Sequence, residues 1–292
     1  MAILSRQLYR IPGGYFLVQL LRHLFPLKDS SVNTHRTFSF RGINMKVDIS
    51  KSMGAAIYWR GAHDWAPIFI LEKMVYEGGT FIDIGANQGE YSLWAARKVG
   101  KTGKVIAFEP MDQLFDSLTE NINLNPSLSH IFIPLKKGLS DSPGKLQLFG
   151  KPGDNEGVNT MFPTAAHSLL IQEIDLGTLD QELEKMSINK VDFIKLDVEG
   201  AELQVLKGSK ETIQRYKPKW MIEINEEACI AGGYKPEDIL NFLRPFGYEF
   251  YKIGLRGSLI KIQTVTDSKV GESSERNCYS CISNNLRQSI DL

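Results

Sequence analysis

Acidic residues placed at the ends of apolar runs are the features of this sequence with the most chemistry in them. The first group lies in Phe81-Ile-Asp-Ile-Gly-Ala-Asn-Gln-Gly-Glu-Tyr91, where Asp83 is followed by Gly85, Asn87 and Gly89. The second is Lys104-Val-Ile-Ala-Phe-Glu109-Pro110, and the third is Val191-Asp-Phe-Ile-Lys-Leu-Asp197-Val-Glu199-Gly200. Carboxylates in such places can accept hydroxyl hydrogen bonds, take a proton, or hold a cation. A fourth acid, Glu223, falls inside the apolar run Lys219-Trp-Met-Ile-Glu-Ile-Asn225. Burying a charge there is costly without a partner. It therefore pairs, with Lys195 as the candidate on the neighbouring strand, or it faces the site.

The first group reads as strand, glycine-bearing turn and helix N-terminus, the unit that seats nucleotide-like ligands in α/β folds. Gly85 lets the backbone turn sharply and approach a ligand, and Gly89 allows close packing of the next helix. The dinucleotide fingerprint fails, because Asn87 stands where its second glycine is needed. Asp83 would also repel a pyrophosphate. S-adenosylmethionine suits a carboxylate better: it has an ammonium, a sulfonium and a ribose diol, and no phosphate. Asp83, Gly85, Asn87 and Gly89 are the first cofactor-binding candidates.

Glu109 ends the second strand about two dozen residues past the first glycine, where a ribose diol is expected to be held. The plainer alternative is a cap for the following helix, which Asp112 also flanks. Asp141, in Gly138-Leu-Ser-Asp141, is a candidate for the adenine amino group and equally an ordinary turn residue. Asp197 and Glu199 end a further buried strand, and Asp197 is the better candidate for a general base or hydroxyl-orienting group. Glu199 and Glu223 are supporting candidates, Glu202 reads as helix N-terminal charge, and Asn225 is a candidate substrate contact.

The elements that must position these residues follow from apolar patterning. The chain has 292 residues, 42% of them hydrophobic, enough for one large α/β domain with additions. With 34 basic and 34 acidic residues the net charge is zero, giving no sign of a nucleic-acid partner. Three cysteines and no convincing signal peptide point to a reducing, cytoplasmic setting. Cys278 and Cys281 lack a second pair for zinc and read as strand residues; no metal site is assigned. Residues 1–50 form an extension: two short basic amphipathic helices, then a hairpin around Arg41-Gly42. The helices pack across the core or lie on a membrane surface. Ile57 to Trp65 precedes the first helix, with Trp59 and Trp65 as core anchors or as a pocket wall. Residues 51–292 form the main domain. Residues 142–177 interrupt its βαβ rhythm as an inserted hairpin, with a loop around Asp154-Asn-Glu156, suited to substrate recognition.

Asp83-Ile-Gly-Ala-Asn-Gln-Gly89, Phe108-Glu-Pro110, Asn123-Leu-Asn125, Thr178-Leu-Asp180 and Lys195-Leu-Asp-Val-Glu-Gly-Ala-Glu202 occur in this order, and the chain resembles the FkbM family of S-adenosylmethionine-dependent methyltransferases. The resemblance implies a Rossmann-like α/β fold with a seven-stranded, mostly parallel sheet, helices on both faces and an antiparallel last strand. It also implies O-methylation of a hydroxyl on a sugar, glycan, lipid or natural product. Methyl transfer from a sulfonium needs no covalent enzyme intermediate, so positioning and desolvation supply most of the acceleration. The competing readings are a nicotinamide-dependent oxidoreductase, a nucleic-acid methyltransferase and a non-catalytic scaffold.

Overall fold

Short apolar runs rich in β-branched and aromatic residues become the strands of this protein, here given as a computed structural model that describes residues 2–11, 14–24, 34–150, 169–265 and 278–283. The strands are β1 (His35–Phe40), β2 (Ile43–Asp48), β3 (Thr80–Ile84), β4 (Lys104–Phe108), β5 (Phe132–Leu135), β6 (Gly138–Leu139), β7 (Gly144–Gly150), β8 (Leu169–Gly177), β9 (Phe193–Leu196), β10 (Lys219–Glu223), β11 (Tyr248–Ile253), β12 (Leu259–Ile262) and β13 (Cys278–Ser283). The helices are α1 (Ala2–Ser5), α2 (Gly14–Leu24), α3 (Ser52–Arg60), α4 (Trp65–Met74), α5 (Glu90–Val99), α6 (Asp112–Asn123), α7 (Leu179–Lys185), α8 (Glu202–Lys207), α9 (Lys210–Tyr216), α10 (Glu226–Ala231) and α11 (Pro236–Leu243).

The main sheet has the order β12-β11-β13-β10-β9-β3-β4-β5. β10, β9, β3, β4 and β5 are mutually parallel. β13, the last strand among the described residues, inserts antiparallel between β10 and β11. Among the described residues the sheet thus has eight strands, five of them in a parallel block, where seven are expected. The extra one, β12, is a four-residue edge strand paired antiparallel with β11. Its shortness and Lys261 hide it from a pattern reading, and both are usual at sheet edges. Side chains of the central strands alternate between two cores. Phe81, Val105 and Phe193 face α4, α5 and α6, whereas Ile82, Ile106 and Ile194 face α7, α8, α9 and α11.

Chain order places the site. From β3 the chain winds outward through β4 and β5 on one side, and through β9 and β10 on the other. β3 and β9 therefore border the switch point, where ligands gather at the carboxyl ends of parallel strands.

The β1–β2 hairpin turns on Arg41 (φ 51°) and Gly42 (φ 79°), a two-residue turn with both central residues left-handed. It is no appendage: Ile43, Met45 and Val47 join the core beneath α5. Asn121 of α6 and Asn125, two residues past its end, accept hydrogen bonds from the backbone N–H groups of Lys46 (2.7 Å) and Asn44 (2.8 Å). A boundary at residue 50 thus cuts through a shared core. The Ile57–Trp65 stretch does not precede the first core helix; it spans the end of α3 and the start of α4. Gly54 weakens the helical signal, but a Cβ there would lie 2.0 Å from the Asp48 carbonyl oxygen. Trp59 is buried as a core anchor.

The insertion is a hairpin of β7 and β8, extended by β6 into a three-stranded sheet. Its expected loop around Asp154–Glu156 lies outside the described residues. Cys278 and Cys281 fall on β13, as their alternation predicts. Among the described residues no helix is long and apolar enough to cross a membrane.

Candidate active site

A cleft enclosing about 1090 Å³, open mouth included, lies over the carboxyl ends of β3, β4 and β9. Its size suits a small-molecule cofactor. One wall is the Gly85–Gln88 turn with Glu90 and Tyr91 of α5. A second is Glu109 to Met111, and a third is Asp197 to Glu199. The three-stranded sheet closes it with an apolar face of Leu139, Leu148, Ile174 and Leu176.

Gly85 is where the two halves of the site meet. Its φ is +79°, and a Cβ would stand 1.9 Å from the carbonyl oxygen of Asp197. Its glycine is required by the approach of the β9 loop as well as by the turn. The N–H groups of Gly85 and Ala86 both donate to the Phe108 carbonyl, at 3.0 and 2.9 Å. Asn87 is also left-handed, at φ 51°; its N–H donates to Glu109 Oε2 (2.8 Å), and its own Oδ1 accepts from the Gln88 N–H (2.7 Å). At Gly89, φ +91°, a Cβ would meet Leu118 of α6 at 2.7 Å, so this glycine serves helix–helix packing.

Glu109 lies on the cleft and is 4% exposed. Besides the Asn87 bond, its Oε1 accepts from the Met111 N–H at 3.0 Å. A carboxylate has about four lone-pair sites, so about two remain for a diol. Burial pushes its carboxyl up to about 7, against the downward pull of the Met111 and Asn87 N–H groups.

Asp83 is not on the cleft. It is fully buried beneath it, accepting from Ser92 Oγ at 2.6 Å. Lys195 Nζ lies 3.5 Å from Asp83 Oδ1 and 3.2 Å from Asp197 Oδ2, and donates to the Gly85 carbonyl at 2.7 Å. It also sits 5.3 Å from the centre of the Tyr91 ring. Burial opposes its charge, but Asp197 and Asp83 together outweigh that and hold its pKa above the ordinary lysine value. One ammonium thus ties the first motif to the third. The sequence offers Lys195 as a pairing candidate for Glu223 and as the head of the 195–202 motif, with no site role; its signal is a lysine inside Phe193-Ile-Lys-Leu196, which is buried throughout.

Asp197 is on the cleft with its side chain 26% exposed. Glu199 also lines it, from a left-handed backbone at φ 51°. Behind this loop Glu202 is buried, accepting from the Gly200 N–H (3.1 Å) and from Tyr234 Oη (2.6 Å). It clamps the loop, a role beyond helix charge.

Three candidates lie elsewhere. Asp141 is exposed on its turn, outside the cleft lining, where Ser142 Oγ donates to it at 3.2 Å. The cleft wall at that strand end is Gly138 and Leu139 instead. Glu223 ends β10, one strand beyond β9 and off the cleft, and its charge acts on Lys195. Asn225 caps α10, accepting from the N–H groups of Glu227 and Ala228. Glu90 was missed. It is buried on the cleft and accepts from the His63 N–H at 2.7 Å, so the Ile57–Trp65 stretch supports the wall through its backbone.

The donor set fits the methyl donor. Glu90, Glu109, Asp197 and Glu199 line the cleft against two lysines. Of these, Lys137 is paired with Glu182 at 2.9 Å and Lys195 with the two aspartates. An acid-rich cleft suits a cationic ligand with a diol and opposes a pyrophosphate. Among the described residues no cluster of three or more His, Cys, Asp or Glu is arranged to hold a metal.

A parallel sheet wound both ways from β3, with a glycine turn and a buried acid over its carboxyl ends, defines a Rossmann-like domain. The model of the methyltransferase FkbM domain matches residues 83–250, more than half of the chain, and the chain belongs to that family. Methyltransferase sdnD of Sordaria araneosa is 33% identical over a region covering 44% of this chain and 60% of that protein. The hexuronic acid methyltransferase AglP of Haloferax volcanii is 31% identical, covering 63% of this chain and 68% of that protein. The chain thus spans about three fifths to two thirds of these relatives' lengths. A crystal structure of an FkbM methyltransferase from Methylobacillus flagellatus superposes with a TM-score of 0.45 at 17% identity, over 70% of this chain and 44% of that one. The assignment rests on the family match and the sequence relatives.

Proposed function

We propose that the protein methylates a hydroxyl group on a sugar-like or glycan acceptor, with Asp197 orienting that hydroxyl and receiving its proton. The observation that carries this reading is the state of Asp197: a partly open carboxylate on the cleft, fixed from behind by a buried ammonium. Bound in the cleft, S-adenosylmethionine supplies an electrophilic methyl group on a positively charged sulfur. Glu109 would hold its ribose hydroxyls with the lone pairs that Asn87 and Met111 leave over. The Gly85–Gln88 turn and the acids around it would hold the charged amino-acid portion. Asp83 has no cleft surface and acts through Lys195, as a positioning residue. Glu199 stands next to Asp197 on the rim and supports acceptor placement.

Lys195 Nζ, 3.2 Å from Asp197 Oδ2, fixes that carboxylate from behind and leaves its exposed edge free to accept from the acceptor hydroxyl. The apolar face of the three-stranded sheet excludes water from the cleft and strengthens such contacts. The resemblance to a hexuronic acid methyltransferase supports a sugar-like acceptor.

The test is transfer of labelled methyl from S-adenosylmethionine to a panel of sugars, uronic acids and glycolipids. A base-stable methyl ether is expected; a base-labile ester or an N-methyl product contradicts the reading. Asp197→Asn is expected to lower kcat by about 100-fold or more, with S-adenosylmethionine affinity kept within about threefold. Normal turnover in that variant removes Asp197 from this role.

A further inference from the structure

The first 24 residues carry an exposed aliphatic face on a segment that is itself held against the domain. Ser5 Oγ donates to the Trp59 carbonyl and Arg6 Nε to the Tyr58 carbonyl, both at 2.7 Å. The Arg6 guanidinium lies 4.1 Å from the Phe38 ring centre. Gly14 and Val18, one turn apart on α2, are buried inward. Outward, Leu17, Leu20 and Leu24 follow the i, i+3, i+7 spacing of one helix face, and Leu20 and Leu24 are 51% and 58% exposed. Ile3, Leu4 and Ile11 add to that exposure, at 75%, 68% and 54%. Six large aliphatic side chains exposed on one short segment exceed the scattered single residues of an ordinary surface.

Charge identifies the occupant. Residues 1–28 contain no Asp or Glu; besides Arg6, which is turned inward onto Tyr58 and Phe38, they hold Arg10, Arg22 and Lys28. That leaves 30 Lys and Arg against 34 Asp and Glu in the rest of the chain. An exposed aliphatic face on a basic segment, attached to an acidic body, matches an anionic lipid surface. A second copy of the chain would bring together two segments of the same net charge.

We propose that residues 2–24 dock the protein on an anionic bilayer, with Leu17, Leu20 and Leu24 entering the interface. The docking does not depend on the methyl-transfer reading. It has a consequence for it, because α3 receives the segment at Tyr58 and Trp59 while its first turn places Met53 on the cleft. Those two points are about 8 Å apart along the helix axis.

The test is co-sedimentation of the full chain with vesicles of phosphatidylcholine mixed with phosphatidylglycerol, and with phosphatidylcholine alone. The chain is expected to sediment with the mixed vesicles, less so at high salt. Leu20→Ser/Leu24→Ser is expected to lower the partition coefficient by about tenfold or more. Because both side chains are exposed, this variant should keep the parent's far-UV circular dichroism and S-adenosylmethionine affinity. Equal partitioning of parent and variant, or no sedimentation of the parent with mixed vesicles, overturns the proposal. A concentration-dependent dimer of the parent that the variant loses assigns the face to a second copy, and overturns it equally.

Discussion

Glu109 and Asp197 stand at the carboxyl ends of the two strands that flank β3, yet their surroundings differ. Glu109 is almost wholly buried, and each of its oxygens already accepts a backbone N–H. Asp197 is a quarter exposed and is held by the ammonium of Lys195. Burial raises the pKa of Glu109 while two backbone N–H groups hold its carboxylate rigid, a setting suited to gripping hydroxyls that do not react. A carboxylate held from one side by a buried ammonium and a quarter exposed on the other retains an open edge toward the cleft. The same residue class thus stands in a closed, backbone-bonded setting on one side of the switch point and in an open, cation-bound one on the other, and the two proposed roles rest on that difference.

The largest effect expected from breaking this arrangement is on Lys195. Replacing it by methionine leaves Asp83 buried without its counter-ion and frees Asp197 from its anchor. Lys195→Met is expected to cost about 3–5 kcal/mol of folding stability, read from denaturant unfolding. A loss below about 1 kcal/mol, in the range of a surface ion pair, means the lysine does not hold the two motifs together.

A smaller effect sharpens the Glu109 side. Its pKa is pushed up to about 7 by burial, so the carboxylate takes a proton as pH falls through that value. S-adenosylmethionine affinity is therefore expected to be flat above pH 7 and to weaken below it, by at most about tenfold per pH unit. The linkage to stability has the opposite sign. A carboxyl raised in the folded state from 4.5 to about 7 contributes stability that is fully present below about 4.5 and lost as pH rises to about 7. Ligand-free protein should gain up to about 3 kcal/mol from this group on acidification from pH 8, while its cofactor affinity falls. Glu109→Gln removes both trends; if both persist in that variant, another group titrates.

Much of this site was legible because its parts are local. The five central strands are apolar runs, and the acids at their ends are neighbours of proline and glycine punctuation. What crossed between distant segments was not. Gly85 reads as a turn glycine, but its second reason, the Asp197 carbonyl, lies more than a hundred residues away in sequence. Lys195 shows only as a misplaced charge until β9 is known to lie beside β3. Asp141 misled because any acid near a third strand can be offered to adenine, and only the fold shows that Gly138 and Leu139 form the wall. Asn225 was readable: Asn before Glu226-Glu227 is a helix N-cap pattern. α3 was hidden by a glycine that the backbone of Asp48 requires, and β12 by its four-residue length.

The division of labour between the two carboxylates is tested most directly by calorimetric titration of S-adenosylmethionine into the parent, Glu109→Ala and Asp197→Asn proteins at pH 8. The parent and Asp197→Asn are expected to bind within about threefold of each other, and Glu109→Ala to bind at least about tenfold more weakly, the loss of one to two charge-assisted hydrogen bonds. Equal binding by Glu109→Ala, or a loss confined to Asp197→Asn, contradicts the assignment of Glu109 to the cofactor and Asp197 to the acceptor.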